Sequence, residues 1–213
     1  MKLITVDQGP TVLAVNSSGS RIYVANLPSN TVSVIDAATD TVTRSPITFG
    51  TLPFGLAVTP DERRVYVGNS GSNTVSVIDT NIDAVVDSPI PVGLTPGGVA
   101  VDPAGRRVYV ATFRSNAVSV IDTASNGVVA TIPVGVGPYT VAVDPAGSHA
   151  YVTNHDPDPV QGDYRVSVLD TASNREVATI PVGVEPIGVA VAPNGRHVYV
   201  ANSASSSVSV IDT

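Results

Sequence analysis

The chain repeats one short text five times. Tyr-Val-small-Asn followed by Val-Ser-Val-Ile-Asp, with minor variation, spans Tyr23 to Asp36, Tyr66 to Asp79, Tyr109 to Asp122, Tyr151 to Asp170 and Tyr199 to Asp212. The tyrosines are 43, 43, 42 and 48 residues apart. A period in the low forties, filled with short strand signals, belongs to propeller blades and not to helical solenoids or leucine-rich horseshoes. Each unit carries four runs of β-branched or aromatic residues between Gly, Pro, Asn and Asp clusters, as in Phe54–Val58, Arg64–Gly68, Val75–Ile78 and Ala84–Val92. Apolar or small residues lie on both faces of these runs, as expected of a blade packed between two others. We letter the four strands a to d from the axis outward.

The phase of the ends adds a prediction. Leu3-Ile4-Thr5-Val6 followed by Gly9-Pro10 aligns with Thr131-Ile132-Pro133-Val134 followed by Gly137-Pro138, so the chain opens on a d strand and closes on a c strand, Val208–Asp212. The expected fold is all-β: a single five-bladed propeller over residues 1–213 with four-stranded antiparallel blades. Its units are 8–50, 51–93, 94–135, 136–183, and 184–213 plus 1–7, with the N-terminal strand completing the last blade and sealing the ring.

Tyr151-Val152-Thr153-Asn154 spells the tetrapeptide of the YVTN β-propeller repeat family, and Tyr23–Asn26, Tyr66–Asn69 and Tyr199–Asn202 are each one residue away. With the Val-Ser-Val-Ile-Asp-Thr and Ile-Pro-Val-Gly blocks, the chain resembles that family over nearly its whole length. The resemblance implies a propeller of bacterial or archaeal secreted or surface-layer proteins and brings no shared catalytic residues. It therefore leads us to expect a secreted or cell-surface location, with any leader outside these residues; a cytoplasmic location stays open. Met1–Asp7 is not a signal peptide, because its apolar run breaks after a few residues.

A net charge of −7 disfavours nucleic acid and anionic membranes, which need a basic footprint. No run approaches the ~20 apolar residues of a membrane span. The chain has no Cys, which excludes disulfides and thiolate metal sites. We expect a monomer without cofactor or metal.

Repetition separates geometry from function, since residues needed by every blade recur and a single site breaks the symmetry. Asp36, Asp79, Asp122, Asp170 and Asp212 recur after strand c and read as Asx turns. Arg21, Arg63, Arg64, Arg106, Arg107 and Arg196 gather on the a–b hairpins beside acids of the c–d turns, a mixed-charge lower rim. The upper rim, made by the b–c loops and d–a turns, does not repeat. There the b–c loop of unit four is six residues longer than its counterparts and carries His155, Asp156, Asp158, Tyr164 and Arg165. Unit three adds Phe113 and Arg114, and the d–a turns add Phe54, Tyr139 and Glu185. These ten residues form the candidate ligand site, because loops at one end of a rigid β scaffold usually carry binding chemistry. Asp156, Asp158 and Asp163 make a poor Ca²⁺ loop, with prolines between them and no bidentate Glu.

No nucleophile elbow or phosphate loop is present, and the inner strands are almost wholly Val, Leu and Ala. The expected function is a non-catalytic binding module for a protein or glycan. A propeller enzyme of lactonase or lyase type is the alternative, by fold analogy only. A purely structural or engineered repeat scaffold is the third reading.

Overall fold

A computed structural model of the chain describes residues 2–43, 46–156, 162 and 164–213. The protein is an all-β, five-bladed propeller with antiparallel blades. Blade 1 comprises β1 (Pro10–Val15), β2 (Arg21–Asn26), β3 (Thr31–Asp36) and an outer strand split into β4 (Thr41–Val42) and β5 (Ile47–Thr48). Blade 2 comprises β6 (Pro53–Val58), β7 (Arg64–Asn69), β8 (Thr74–Asp79) and β9 (Ala84–Pro91). Blade 3 runs through β10 (Pro96–Val101), β11 (Arg107–Thr112), β12 (Ala117–Asp122) and β13 (Gly127–Pro133), with a single 3₁₀ turn at Phe113–Ser115. Blade 4 contains β14 (Pro138–Val143), β15 (His149–Asn154), β16 (Arg165–Asp170) and β17 (Arg175–Pro181). Blade 5 contains β18 (Pro186–Val191), β19 (His197–Asn202) and β20 (Ser207–Asp212).

The repeated text has a direct structural meaning. In every blade the Tyr of strand b sits opposite the second Val of Val-Ser-Val, as in Tyr66 with Val77 and Tyr109 with Val120. This fixed register places Tyr, the small residue two positions later and both valines on one face. We call it the forward face, because it packs on the next blade. Between blades 1 and 2, for example, Tyr23, Ala25, Val32 and Val34 meet Leu56, Val65, Val67 and Ile78. Three more cores of the same composition join blades 2 to 3, 3 to 4 and 4 to 5.

The buried Asn and Ser of the motif hold strands b and c together. The side-chain amides of Asn26, Asn69, Asn154 and Asn202 donate to Ser33, Ser76, Ser167 and Ser209 at 2.9, 2.9, 2.8 and 3.0 Å. Blade 3 has Thr112 instead, whose hydroxyl donates to the Ala117 carbonyl at 2.7 Å. These bonds satisfy the amide nitrogens, while the Oδ1 atoms of Asn26, Asn69, Asn154 and Asn202 are buried without a hydrogen-bond partner.

One expectation is corrected. The N-terminal segment does not complete blade 5: β18, β19 and β20 form a three-stranded sheet, and residues 2–7 belong to no strand. They lie on blade 1. Lys2 Nζ donates to the Thr39 carbonyl at 3.0 Å, and the Thr31 hydroxyl donates to the Asp7 carboxylate at 2.7 Å. The physical reason is that no fifth core joins blade 5 to blade 1 among the described residues, so the valines of β20, Val208 and Val210, stay exposed and β20 pairs with β19 alone.

Candidate functional site

On the lower rim Asp36, Asp79, Asp122 and Asp170 each accept a backbone N–H two or three residues on, as an Asx turn requires, whereas Asp212 lies 3.2 Å from His197 Nε2. Asp36 accepts the backbone N–H of Ala38 and Thr39 at 2.9 and 2.8 Å, and Asp122 accepts those of Ala124 and Ser125 at 3.1 and 2.9 Å. These donors favour the charged form. The Thr39 N–H holds the Asp36 carboxyl below its ordinary range, and the Ser125 N–H does so for Asp122. The a–b hairpins reach across to the next blade. Arg21 donates to the Thr80 carbonyl at 2.7 Å and to Asp83 at 2.9 Å, and Arg64 donates to the Thr123 carbonyl at 2.7 Å. The Tyr66 hydroxyl donates to Asn126 at 2.8 Å. Arg107 instead pairs with Asp122 of its own blade. Arg21 and Arg64 used this way tie neighbouring blades together.

The upper rim is built differently. Each strand a begins with Pro, and the residues that follow it in the five blades are Thr11, Phe54, Gly97, Tyr139 and Ile187. Gly97 stands between the two aromatics. A Cβ there would lie 2.7 Å from the Tyr139 carbonyl oxygen, so the inner strands approach too closely for a side chain. With nothing projecting from blade 3, the rings of Phe54 and Tyr139 meet across it, edge to face at 5.6 Å and 72°. Phe113, from the 3₁₀ turn of blade 3, meets Tyr139 at 6.4 Å and 80°. His155 lies 5.6 Å from the Tyr139 ring and 6.4 Å from Phe113. Edge-to-face contacts in this range add favourable energy beyond the area they bury.

Phe54, Phe113 and Tyr139 line an open recess of about 240 Å³ with Ser70, Thr95, Pro96 and Gly97. Its lining contains neither a carboxylate nor a basic group. His155 stands behind the rings, hydrogen-bonded through its backbone N–H to the Gly137 carbonyl at 2.8 Å. Its Nδ1 is buried and has no hydrogen-bond partner.

Arg114 and Glu185 lie outside this group. Arg114 lines an adjoining hollow with Leu52, Asn73 and Leu94, which shares Ser70 and Thr95 with the aromatic recess. Glu185 is engaged within blade 5, where the Ser203 hydroxyl donates to its carbonyl at 3.0 Å and lies 3.4 Å from its carboxylate. Arg165 opens β16, and its guanidinium donates to Thr179 at 3.4 Å, on the outer part of blade 4. The Tyr164 carbonyl accepts the Val182 N–H at 3.1 Å. Asp156 follows His155 in irregular chain, while Asp158 and Asp163 lie outside the described residues. No group of three His, Asp or Glu among the described residues is placed to share a metal ion. Sequence reasoning missed Gly97, Ser70 and Thr95. A visible signal for Gly97 was the lone glycine between two aromatics at one repeat position.

Comparison with known proteins agrees with this architecture. Residues 5–88 match the model of the YNCE-like beta-propeller family. No curated protein matches the chain. Hydrazine synthase of Kuenenia stuttgartiensis is similar over 94% of the chain, with 30% identity and a TM-score of 0.85, and the chain spans only 57% of that protein's length. A protein of unknown function from Desulfotomaculum acetoxidans matches 98% of the chain and is itself covered to 70%, at 17% identity and a TM-score of 0.81. A candidate 6-phosphogluconolactonase of Bacteroides uniformis matches 95% and is covered to 66%, at 14% identity and a TM-score of 0.81. At those lower identities the likeness is one of fold alone. Together, the blade register, the repeated motif and these matches make the chain a propeller-type repeat protein.

Proposed function

We propose that the protein is a non-catalytic binding module whose upper rim anchors a protein or glycan ligand through the aromatic recess. The observation that carries this reading is the convergence of Phe54, Phe113, Tyr139 and His155 from three blades, at positions where the other units have different side chains. At about 240 Å³ the recess is smaller than the ~300–1,000 Å³ typical of sites that engulf a small molecule. It suits one apolar side chain or one sugar ring of a larger ligand, packed against ring faces and edges. The adjoining hollow with Arg114 offers that ligand a charged contact beside the anchor.

An acid–base mechanism finds no support in the recess, because its lining has no titratable group besides the Tyr139 phenol. The likeness to a candidate lactonase is confined to fold, so it lends no residue to an enzymatic reading. The narrower kinship with YVTN surface-layer proteins, and with it a secreted or cell-surface location, belongs to the same proposal. It rests on the motif around Tyr151.

The test is a screen of glycan and peptide arrays with the wild-type chain, Phe113→Ala and Tyr139→Ala. Capture by wild type that falls at least ~10-fold in both variants, with folding intact by thermal melt, supports the module. Capture indifferent to both substitutions, or conversion of the captured molecule to product, would remove the proposal.

A further inference from the structure

The aromatic recess and the hollow beside it share a wall made by Ser70 and Thr95. Consecutive residues of the 3₁₀ turn serve one side each: Phe113 lines the recess, and Arg114 lines the hollow of about 390 Å³. Successive side chains of a 3₁₀ turn point about 120° apart, so neighbours can face different ways. Arg114 is the single charged residue in either lining. It is exposed, and its guanidinium has no hydrogen bond or ion pair among the described residues. Arg21, Arg64 and Arg107, by contrast, are engaged on the lower rim. The equivalents of Arg114 are Pro28, Gly71, Asp156 and Ala204, so the blade itself requires no cation at that place.

The rest of the hollow is apolar where it meets water. Leu52 and Leu94, from the d–a turns of blades 2 and 3, are 41% and 52% exposed. Leu52 and Thr95 also hold left-handed backbone, φ 54° at each, at the place where blades 1 and 4 have Gly9 and Gly137 and blade 5 has Glu185. Side chains are disfavoured in that conformation, β-branched ones most of all. The turn closes with glycine in two blades, so what Leu52 and Thr95 add is surface, and both lie in the lining.

We propose that recess and hollow together take a peptide segment of another protein in which a bulky apolar side chain stands within a few residues of a carboxylate. The apolar group fills the recess, the carboxylate pairs with Arg114, and the rest of the segment lies on Leu52 and Leu94. The inference rests on reading this rim as a binding surface and adds the class of ligand. Charge complementarity supplies the carboxylate, since one cation and no acid face the ligand. A phosphate, with nearly two charges, calls for a cluster of cations, and only one is present. The lining also favours a peptide over a sugar. Phe54 and Tyr139 stand at 72°, which makes a cleft of edge and face and no flat platform for a sugar ring. The polar groups of the shared wall are occupied in holding the turns. The Ser70 hydroxyl donates to the Leu52 carbonyl at 2.8 Å, and Asn73 Oδ1 accepts the Thr95 N–H at 2.8 Å. Sugar hydroxyls pressed against such a wall would lose water and find few partners.

The experiment titrates the full chain into fluorescein-labelled hexapeptides that each contain one Phe, read by fluorescence polarisation. One set carries Glu at varied spacing from the Phe and an amidated end. Matched sets carry Gln or Lys instead of Glu, and a last set combines Gln with a free terminal carboxylate. The Glu set or the free-acid set should bind about 5-fold more tightly than the Gln amides, with the gap narrowing at high salt. Which of the two binds tells whether the carboxylate belongs to a side chain or a chain end. Arg114→Gln, folded by thermal melt, should bind Glu and Gln peptides alike, and Arg114→Glu should prefer the Lys set. Phe113→Ala should weaken every set.

Three results would each overturn the proposal. Equal binding of Glu, Gln and free-acid peptides, still lost in Phe113→Ala, would remove the carboxylate and leave the recess as an anchor. Capture of a neutral or uronic-acid oligosaccharide in preference to every peptide would remove the peptide and leave the binding surface. Binding of no peptide and no oligosaccharide would remove both this inference and the reading on which it rests.

Discussion

On the lower rim, Arg21 and Arg64 make the same reach from one blade to a c–d turn of the next, and Asp36 and Asp122 close the same turn. On the upper rim, the five equivalent positions at the start of strand a hold Thr11, Phe54, Gly97, Tyr139 and Ile187, five different residues. One rim repeats because each blade must be fastened to its neighbour in the same way. The other is released from that duty, since the inner strands are already fixed by the apolar cores below. Variation therefore collects where it costs little packing energy, and there it assembles an aromatic group that no single unit contains.

The comparison breaks most sharply at Gly97. Gly97→Val should destabilise the protein by about 2–3 kcal/mol in urea unfolding, because the new Cβ meets the Tyr139 backbone, which has little room to move. The same change should separate Phe54 from Tyr139 and abolish array capture. A merely modest loss of stability with capture intact would show that the close approach does not build the recess.

The buried phenols of strand b sharpen the lower side. Burial pushes the Tyr109 hydroxyl from its ordinary 10.0 up to about 12. A folded-state value above the unfolded one means stabilisation that is complete below pH 10 and lost as pH rises through about 12. Tyr109→Phe should therefore flatten the fall in stability across pH 10–12, by on the order of 2 kcal/mol at the upper end. An unchanged alkaline limb would place the titrating group elsewhere.

Arg21→Ala should cost about 1 kcal/mol, by removing both the hydrogen bond to the Thr80 carbonyl and the pair with Asp83. Capture on the upper rim should be untouched, and a parallel loss of capture would mean that the two rims are coupled. Smallest is the acid limb. The Asp122 carboxyl is held below its ordinary 3.8 by the Ser125 N–H, so its contribution is present above that pH and vanishes as pH falls through the lowered value. Asp122→Asn should lower stability slightly at neutral pH, where that contribution is present, and flatten the loss as pH falls below 3.8.

Much of this could be read beforehand because it is local or repeats. The 43-residue period gave the blade count, and Gly, Pro, Asn and Asp clusters gave the strand ends. Recurrence after strand c marked the aspartates as turn residues, and failure to recur picked out Phe54, Phe113, Tyr139 and His155 as a group. The same filter also gathered Arg114 and Glu185, which lie on that rim but outside the aromatic group. Asymmetry shows that a position is free to differ and is silent about direction.

The strand content, the register of tyrosine against valine and the Asn–Ser ties follow from the chain alone, since each depends on residues within one repeat. Two other things were decided only in three dimensions. Phe54 and Tyr139 meet because an intervening blade contributes a glycine, a matter of distance between units and not of spacing within one. Leu3–Val6 pairs with no strand although its sequence suits an outer one, because strand pairing depends on which blades meet, and among the described residues no core joins blade 5 to blade 1.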